Sequence, residues 1–244
     1  MAQDTPAITD SETPADPFLW LEDVQGDKAL AWVRERNAES RRQIEAYPRF
    51  GELRDRTLRV LNSKERIPFV VRRGDWLYNF WQDDAHQRGL WRRTTLAEYR
   101  KPEPAWDIVL DLDALAAAEK ENWVWHGATC LGPAYERCLL SLSRGGADAV
   151  VVREFDIGER RFVAHGFELP EAKSDAEWID ADTLCVGTDL GPGSMTDSGY
   201  PRVFRRWKRG QPLAQAAIVF EGEAKDVDAF VRVDHTPGFE RTVV

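Results

Sequence analysis

The chain has 244 residues, 33 basic against 42 acidic, for a formal net charge of −9. That balance excludes a general nucleic-acid binder, which presents a basic face, and no apolar run approaches the ~20 residues of a membrane span, so neither nucleic acid nor membrane is expected as a partner. With 43% hydrophobic and 31% charged residues the composition is globular, and ten tryptophans punctuated by glycines suit stacked sheets better than a helix bundle.

Residues 1–15 lack periodicity and read as a disordered tail. Asp16-Pro17 opens a short helical turn ahead of the apolar plug Phe18 to Leu21. Asp27 is an N-cap candidate for a helix over Lys28 to Tyr47, ended by Pro48. A further helix is predicted from Phe50 to Leu61, with Phe50, Leu53, Leu58 and Leu61 on one face.

After Asn62-Ser63 the pattern changes to short β-rich runs separated by turns. Ile67 to Val71, Trp76 to Trp81, Leu90 to Thr94 and Trp106 to Leu110 form a first group. Trp123 to Trp125, Cys138 to Leu142, Ala149 to Phe155 and Phe162-Val163 form a second. Ala176 to Ile179, Thr183 to Gly187, Arg202 to Trp207 and Ala217 to Phe220 form a third. A fourth starts near Asp226-Val227 and reaches Arg241 to Val244. The period of about 50 residues is that of propeller blades. The expected fold is mainly β: an incomplete β-propeller of about three and a half four-stranded blades, preceded by α-helices. The expected divisions are a tail over 1–15, helices over 16–64 and a partial propeller over 65–244, with blades near 65–115, 120–165, 174–222 and 226–244. One irregular β-sandwich is the alternative.

The opening Asp16-Pro17-Phe18-Leu19-Trp20-Leu21-Glu22-Asp23, followed by Trp32-Val33 and Asn37, resembles the start of the prolyl oligopeptidase family. Leu142 to Asp148 and Ser198 to Arg202 resemble blade segments of bacterial members. The resemblance implies a longer serine peptidase. Its seven-bladed propeller filters short peptides toward an α/β-hydrolase domain with a Ser, Asp and His triad, on which the N-terminal helices pack. On this reading that domain and every catalytic position lie beyond Val244, and the chain by itself is inactive and poorly stable. A stand-alone binding or scaffolding protein built from the same blades is the alternative.

The residues themselves offer no competing chemistry, and no catalytic, cofactor-binding or metal-ligating residue is assigned; no cofactor is expected. G-x-S-x-G is absent; the nearest approach, Ser141-Leu142-Ser143-Arg144-Gly145, lacks a following helix. Gly191-Pro192-Gly193-Ser194 reads as a surface loop, because Pro192 removes an N–H that a phosphate cradle uses. His86, His126, His165 and His235 stand apart, without metal-ligand spacing. Asp83-Asp84, Asp111 with Asp113, and Asp180 with Asp182 read as turn acceptors. Arg92-Arg93 and the cluster Arg202, Arg205, Arg206, Lys208 and Arg209 read as solvated outer strands. Cys130, Cys138 and Cys185 are odd in number without C-x-x-C spacing and read as buried free thiols, which fits a reducing compartment. The expected location is cytoplasmic as written, or periplasmic if a signal was removed ahead of the polar start Met1 to Pro6.

Overall fold

The structure, a computed structural model, describes residues 16–23 and 25–244; the tail expected over 1–15 lies outside them. Contacts divide the chain after Leu61 into two units. In the first, the Asp16 carboxylate accepts the Phe18 N–H at 2.8 Å and so fixes the start of a 3₁₀ turn over Leu19–Leu21. Helix α1 spans Asp27–Glu45 with Gly26 as N-cap. Asp27 therefore sits in the first turn and does not cap it, where its charge still complements the helix dipole. Helix α2 spans Phe50–Leu61, and Ile44, Leu58, Val60 and Leu61 on the two helices are exposed.

The second unit holds four antiparallel sheets in chain order. The first contains β1 (Val71–Arg73), β2 (Trp76–Trp81), β3 (Leu90–Thr95) and β4 (Asp107–Asp111). The short helices α3 (Leu96–Tyr99) and α4 (Leu112–Glu119) follow β3 and β4. The second sheet contains β5 (Trp123–Cys130), β6 (Arg137–Arg144), β7 (Val150–Asp156), β8 (Arg161–Phe162) and β9 (Glu168–Ala172). The third has β10 (Asp175–Asp180), β11 (Thr183–Gly187), β12 (Val203–Lys208) and β13 (Ala217–Glu221). The fourth is the hairpin of β14 (Arg232–Asp234) and β15 (Arg241–Val243).

Each sheet packs face to face on the next. Tyr78, Trp91 and Val109 of the first meet Cys138, Leu140 and Phe155 of the second. Leu139, Val152 and Leu169 of the second meet Trp178, Leu184 and Val186 of the third. Cys185 and Phe204 of the third meet Val231, beside the fourth. Alternate residues of β6 thus serve two different neighbours, as the two-residue period of a strand requires. This succession of small sheets is the propeller arrangement and excludes a single sandwich.

Several elements differ from expectation. The run Ile67 to Val71 pairs only from Val71 onward; Pro68 interrupts it, and Ile67 and Phe69 are 81% and 95% exposed. Asp111 caps α4 through the Ala114 N–H, so an Ala-rich helix occupies what reads as a turn. The fourth strand of the second sheet is split, with β8 and β9 pairing successive parts of β7, and Pro170 is tolerated because β9 lies at the edge.

The cysteines are also corrected. Cys130 and Cys138 face each other across β5 and β6 and form a disulfide; only Cys185 is a buried free thiol. Neighbouring Leu131 donates its N–H to Arg137 O at 2.9 Å, so the cysteine pair occupies the adjoining non-hydrogen-bonded position, where side chains come closest.

The arginine cluster is a solvated strand only in part. β12 lies between β11 and β13 and is not an outer strand; Arg206 and Lys208 are exposed, whereas Arg202 and Arg205 bind backbone carbonyls and Arg209 a buried acid. Arg209 at the end of β12 reaches into the second sheet and grips Glu154 at 2.7 and 3.1 Å. The Glu154 side chain is 1% exposed and also accepts the Phe167 N–H at 2.8 Å. Removing one partner of a buried pair leaves a charge uncompensated. Arg209→Ala is therefore expected to destabilise the fold by about 3 kcal/mol, whereas exposed Arg206→Ala changes it by less than about 0.5 kcal/mol. Urea unfolding of the two variants checks this; equal midpoints would mean that Arg137, 3.8 Å from Glu154, and the Phe167 N–H suffice for that carboxylate.

Candidate functional site: the wall of first strands

Where successive sheets converge, their first strands meet: β5 touches β10, and β10 touches β14. Arg73 of β1 donates to Ala128 O of β5 at 2.9 Å. Trp178 of β10 donates its indole N–H to Thr129 O of β5, also at 2.9 Å. His235, after β14, donates Nε2–H to Trp178 O at 2.9 Å. Side chain to backbone bonds thus stitch four strands into one wall.

An open cleft of about 360 Å³ lies along this wall, lined by His126, Asp148, Lys173, Asp175, Tyr200 and Arg232 among others. His126 is the extra residue of a β-bulge between Trp125 and Gly127, and a bulge re-aims the side chain it carries. Lys173 lies 3.8 Å from Asp148 and 4.2 Å from the centre of the Tyr200 ring. Arg232 pairs with Glu177 at 3.3 Å, and the Val231 N–H donates to Asp175 at 2.7 Å. The cleft mixes both signs of charge with an aromatic face.

Two carboxyls here titrate above their usual range. Burial raises Asp175, against the Val231 N–H, Arg232 and the Ala176 N–H. Burial and then the charge of Asp175 raise Glu177, against Arg232 and His235. Burial pushes the Cys185 thiol up to about 11, which keeps it inert.

Ser141 of the Ser141 to Gly145 run also lines the cleft, whereas the serine, aspartates and histidine that follow do not. Ser143 is fully buried within β6, its Oγ without a hydrogen bond among the described residues. Burial pushes Asp83 up, but it accepts the N–H groups of Ala85 and His86, the Trp81 indole and the His86 ring, which together outweigh burial and hold its pKa at about 2. Asp113 accepts the Arg88 and Gly89 N–H groups, and Asp180 that of Asp182. His165 occupies a left-handed turn position. Sequence reading missed Asp175, Glu177 and Arg232, because isolated charges on short strands carry no spacing signal; only their place on successive first strands brings them together.

A family model described as the prolyl oligopeptidase N-terminal beta-propeller domain matches residues 2–236. The chain is 44% identical over 221 residues to the uncharacterized peptidase y4nA of Sinorhizobium fredii, covering 90% of this chain and 30% of that protein. It is 30% identical over 210 residues to the uncharacterized peptidase RP174 of Rickettsia prowazekii, covering 83% and 29%. Among solved structures, a post-proline cleaving enzyme from Rickettsia typhi superposes with a TM-score of 0.78 at 31% identity, covering 86% of this chain and 31% of that one. Oligopeptidase B from Leishmania major, at 13% identity, shares the fold with a TM-score of 0.61 over 85% of this chain and 28% of that one. The chain thus spans about a third of the length of the relatives it matches.

The raised carboxyls predict a pH dependence. A carboxyl whose folded pKa exceeds its unfolded one contributes stability that is complete below the unfolded value and lost as pH rises through the folded one. The junction of the third and fourth sheets therefore weakens as pH rises above the ordinary carboxylate range. Asp175→Asn keeps an oxygen for the Val231 N–H and removes that loss. Thermal melting should show the variant at least as stable as wild type at about pH 7, with a flatter decline from about pH 4. A variant melting well below wild type at neutral pH contradicts the assignment.

Proposed function

Because the chain belongs to the prolyl oligopeptidase family through its N-terminal propeller segment, we propose that it is the access-controlling part of a serine-type peptidase acting on short peptides. The carrying observation is the match of nine-tenths of this chain to under a third of a peptidase. Residues 65–244 are read as successive blades and 16–64 as the helical lead-in that packs on a hydrolase domain. The triad belongs to that domain, and the wall of first strands lines the route by which peptides approach it.

The exposed apolar residues support this over a self-sufficient scaffold. Ile67 and Phe69 stand beside the first sheet, and Phe230, Phe239 and Val243 on or beside the hairpin of the fourth. Apolar groups gathered in this way suit burial against further sheets.

Hydrolysis of a proline-containing chromogenic peptide tests the reading. The 244-residue chain by itself is expected to give no turnover. Exchanged for the matching segment of the Rickettsia typhi enzyme, it is expected to support cleavage of short peptides and to spare folded proteins. Turnover by the isolated chain that a serine-directed inhibitor abolishes would overturn the proposal. So would an exchanged enzyme that cuts folded proteins as readily as peptides.

The disulfide of Cys130 and Cys138 supports an oxidising compartment over the cytoplasm, since such bonds persist where thiols are not kept reduced. Alkylation of the protein as it leaves the cell, followed by mass mapping, should label Cys185 alone after denaturation and all three cysteines after reduction. Cys130 and Cys138 labelled without reductant would return the protein to a reducing compartment.

A further inference from the structure

The bulge at His126 divides β5, so that residues 127–130 form a half-strand of their own, paired with residues 138–141 of β6. Side chains from both neighbouring sheets land on this half-strand. Arg73 of the first sheet donates to Ala128 O, and Trp178 of the third donates to Thr129 O, each at 2.9 Å. Behind the half-strand the ladder is locally disrupted, as a bulge requires. Ahead of it the chain makes one more bond, from Leu131 N–H to Arg137 O, and turns back into β6. The last residue of the half-strand is Cys130, tied to Cys138.

The two sulfurs lie on the seam between the first and second sheets. Cys138 is fully buried there with Tyr78, Trp91 and Phe155, and half-buried Cys130 packs against the same cluster. The bond joins positions eight residues apart. Such a tie acts by denying freedom to the open state. The opening it denies most directly is the one in which residues 127–130 peel away from β6. That opening carries off the acceptors of both Arg73 and Trp178. With the tie removed, the half-strand is held by ladder bonds and packing alone, and short segments of this kind open well below the free energy of global unfolding.

We propose that the disulfide of Cys130 and Cys138 is a redox latch on the wall of first strands. Oxidised, it holds two carbonyls in place for the first and third sheets. Reduced, it lets the half-strand open and loosens both junctions while each sheet stays folded. This holds for the wall whatever passes along it. The reductant is a dithiol. Its thiolate attacks Sγ of Cys130, the half-buried end, and the S–S bond breaks as Cys138 leaves and takes up a proton. The second thiol of the reductant then displaces Cys130. Two electrons have passed, both cysteines are thiols, and the dithiol has become a disulfide.

Hydrogen exchange of the 244-residue chain, read by mass spectrometry before and after dithiol reduction, tests the latch. Amides of residues 127–130 and 137–140 are expected to exchange at least about tenfold faster in the reduced chain. Those of β12, in the middle of the third sheet, should change by less than about twofold. The Trp178 indole N–H, assigned by its loss in Trp178→Phe, should move in a nitrogen–proton correlation spectrum on reduction. Cys130→Ala combined with Cys138→Ala should reproduce the reduced pattern without reductant; should that variant fail to fold, the reduced wild-type chain decides alone. Unchanged exchange at residues 127–130 would overturn the proposal. So would acceleration shared equally by β12, which marks a general stabiliser, or a non-reducing peptide map without the linkage of Cys130 to Cys138.

Discussion

The second unit depends on one recurring contact: a side chain of one sheet donating to a backbone carbonyl on the first strand of its neighbour or beside it. Arg73 on Ala128, Trp178 on Thr129 and His235 on Trp178 are three instances, each at 2.9 Å. Sheet faces packed by apolar contact alone can slide, because the hydrophobic effect has no direction. A directional bond at the narrow end of each wedge fixes the pitch between sheets. It also satisfies carbonyls that the ladders of β5 and β10 leave open to their neighbours.

The outer margin repeats the logic with charge. Arg209 crosses from the third sheet to buried Glu154 of the second, and Arg160 crosses from the second to Asp107 and Ile108 O of the first. Arginine suits this work because its planar fork reaches carboxylate and carbonyl together. In sequence Arg209 reads as part of a solvated strand, and Arg160 stands in no motif. Their real partners lie some 50 positions away, which no local pattern reveals.

Local chemistry was legible where one residue type dictates one conformation. Trp76 to Trp81 and Thr183 to Gly187 are strands with the bounds that their aromatic and β-branched content suggests. Phe50–Leu61 is the helix its apolar spacing implies. Elements whose signals conflict were misread: β9 contains Pro170, and α4 follows an aspartate that turns and helix caps both favour. The disulfide was hidden because strand register, not spacing, decides which cysteines meet. The cleft was hidden for the same reason, since His126 reaches it only through a bulge.

Each apolar cluster between sheets joins sequence neighbours: first with second, second with third, third with fourth. Coupling is then of nearest-neighbour kind, as in a linear array. The second sheet is clamped on both faces, by the first sheet and by the third. Amide exchange should therefore be slowest in the second sheet, whose opening disturbs two apolar interfaces at once, so that breathing is a local property of each sheet and not one of the polypeptide as a whole.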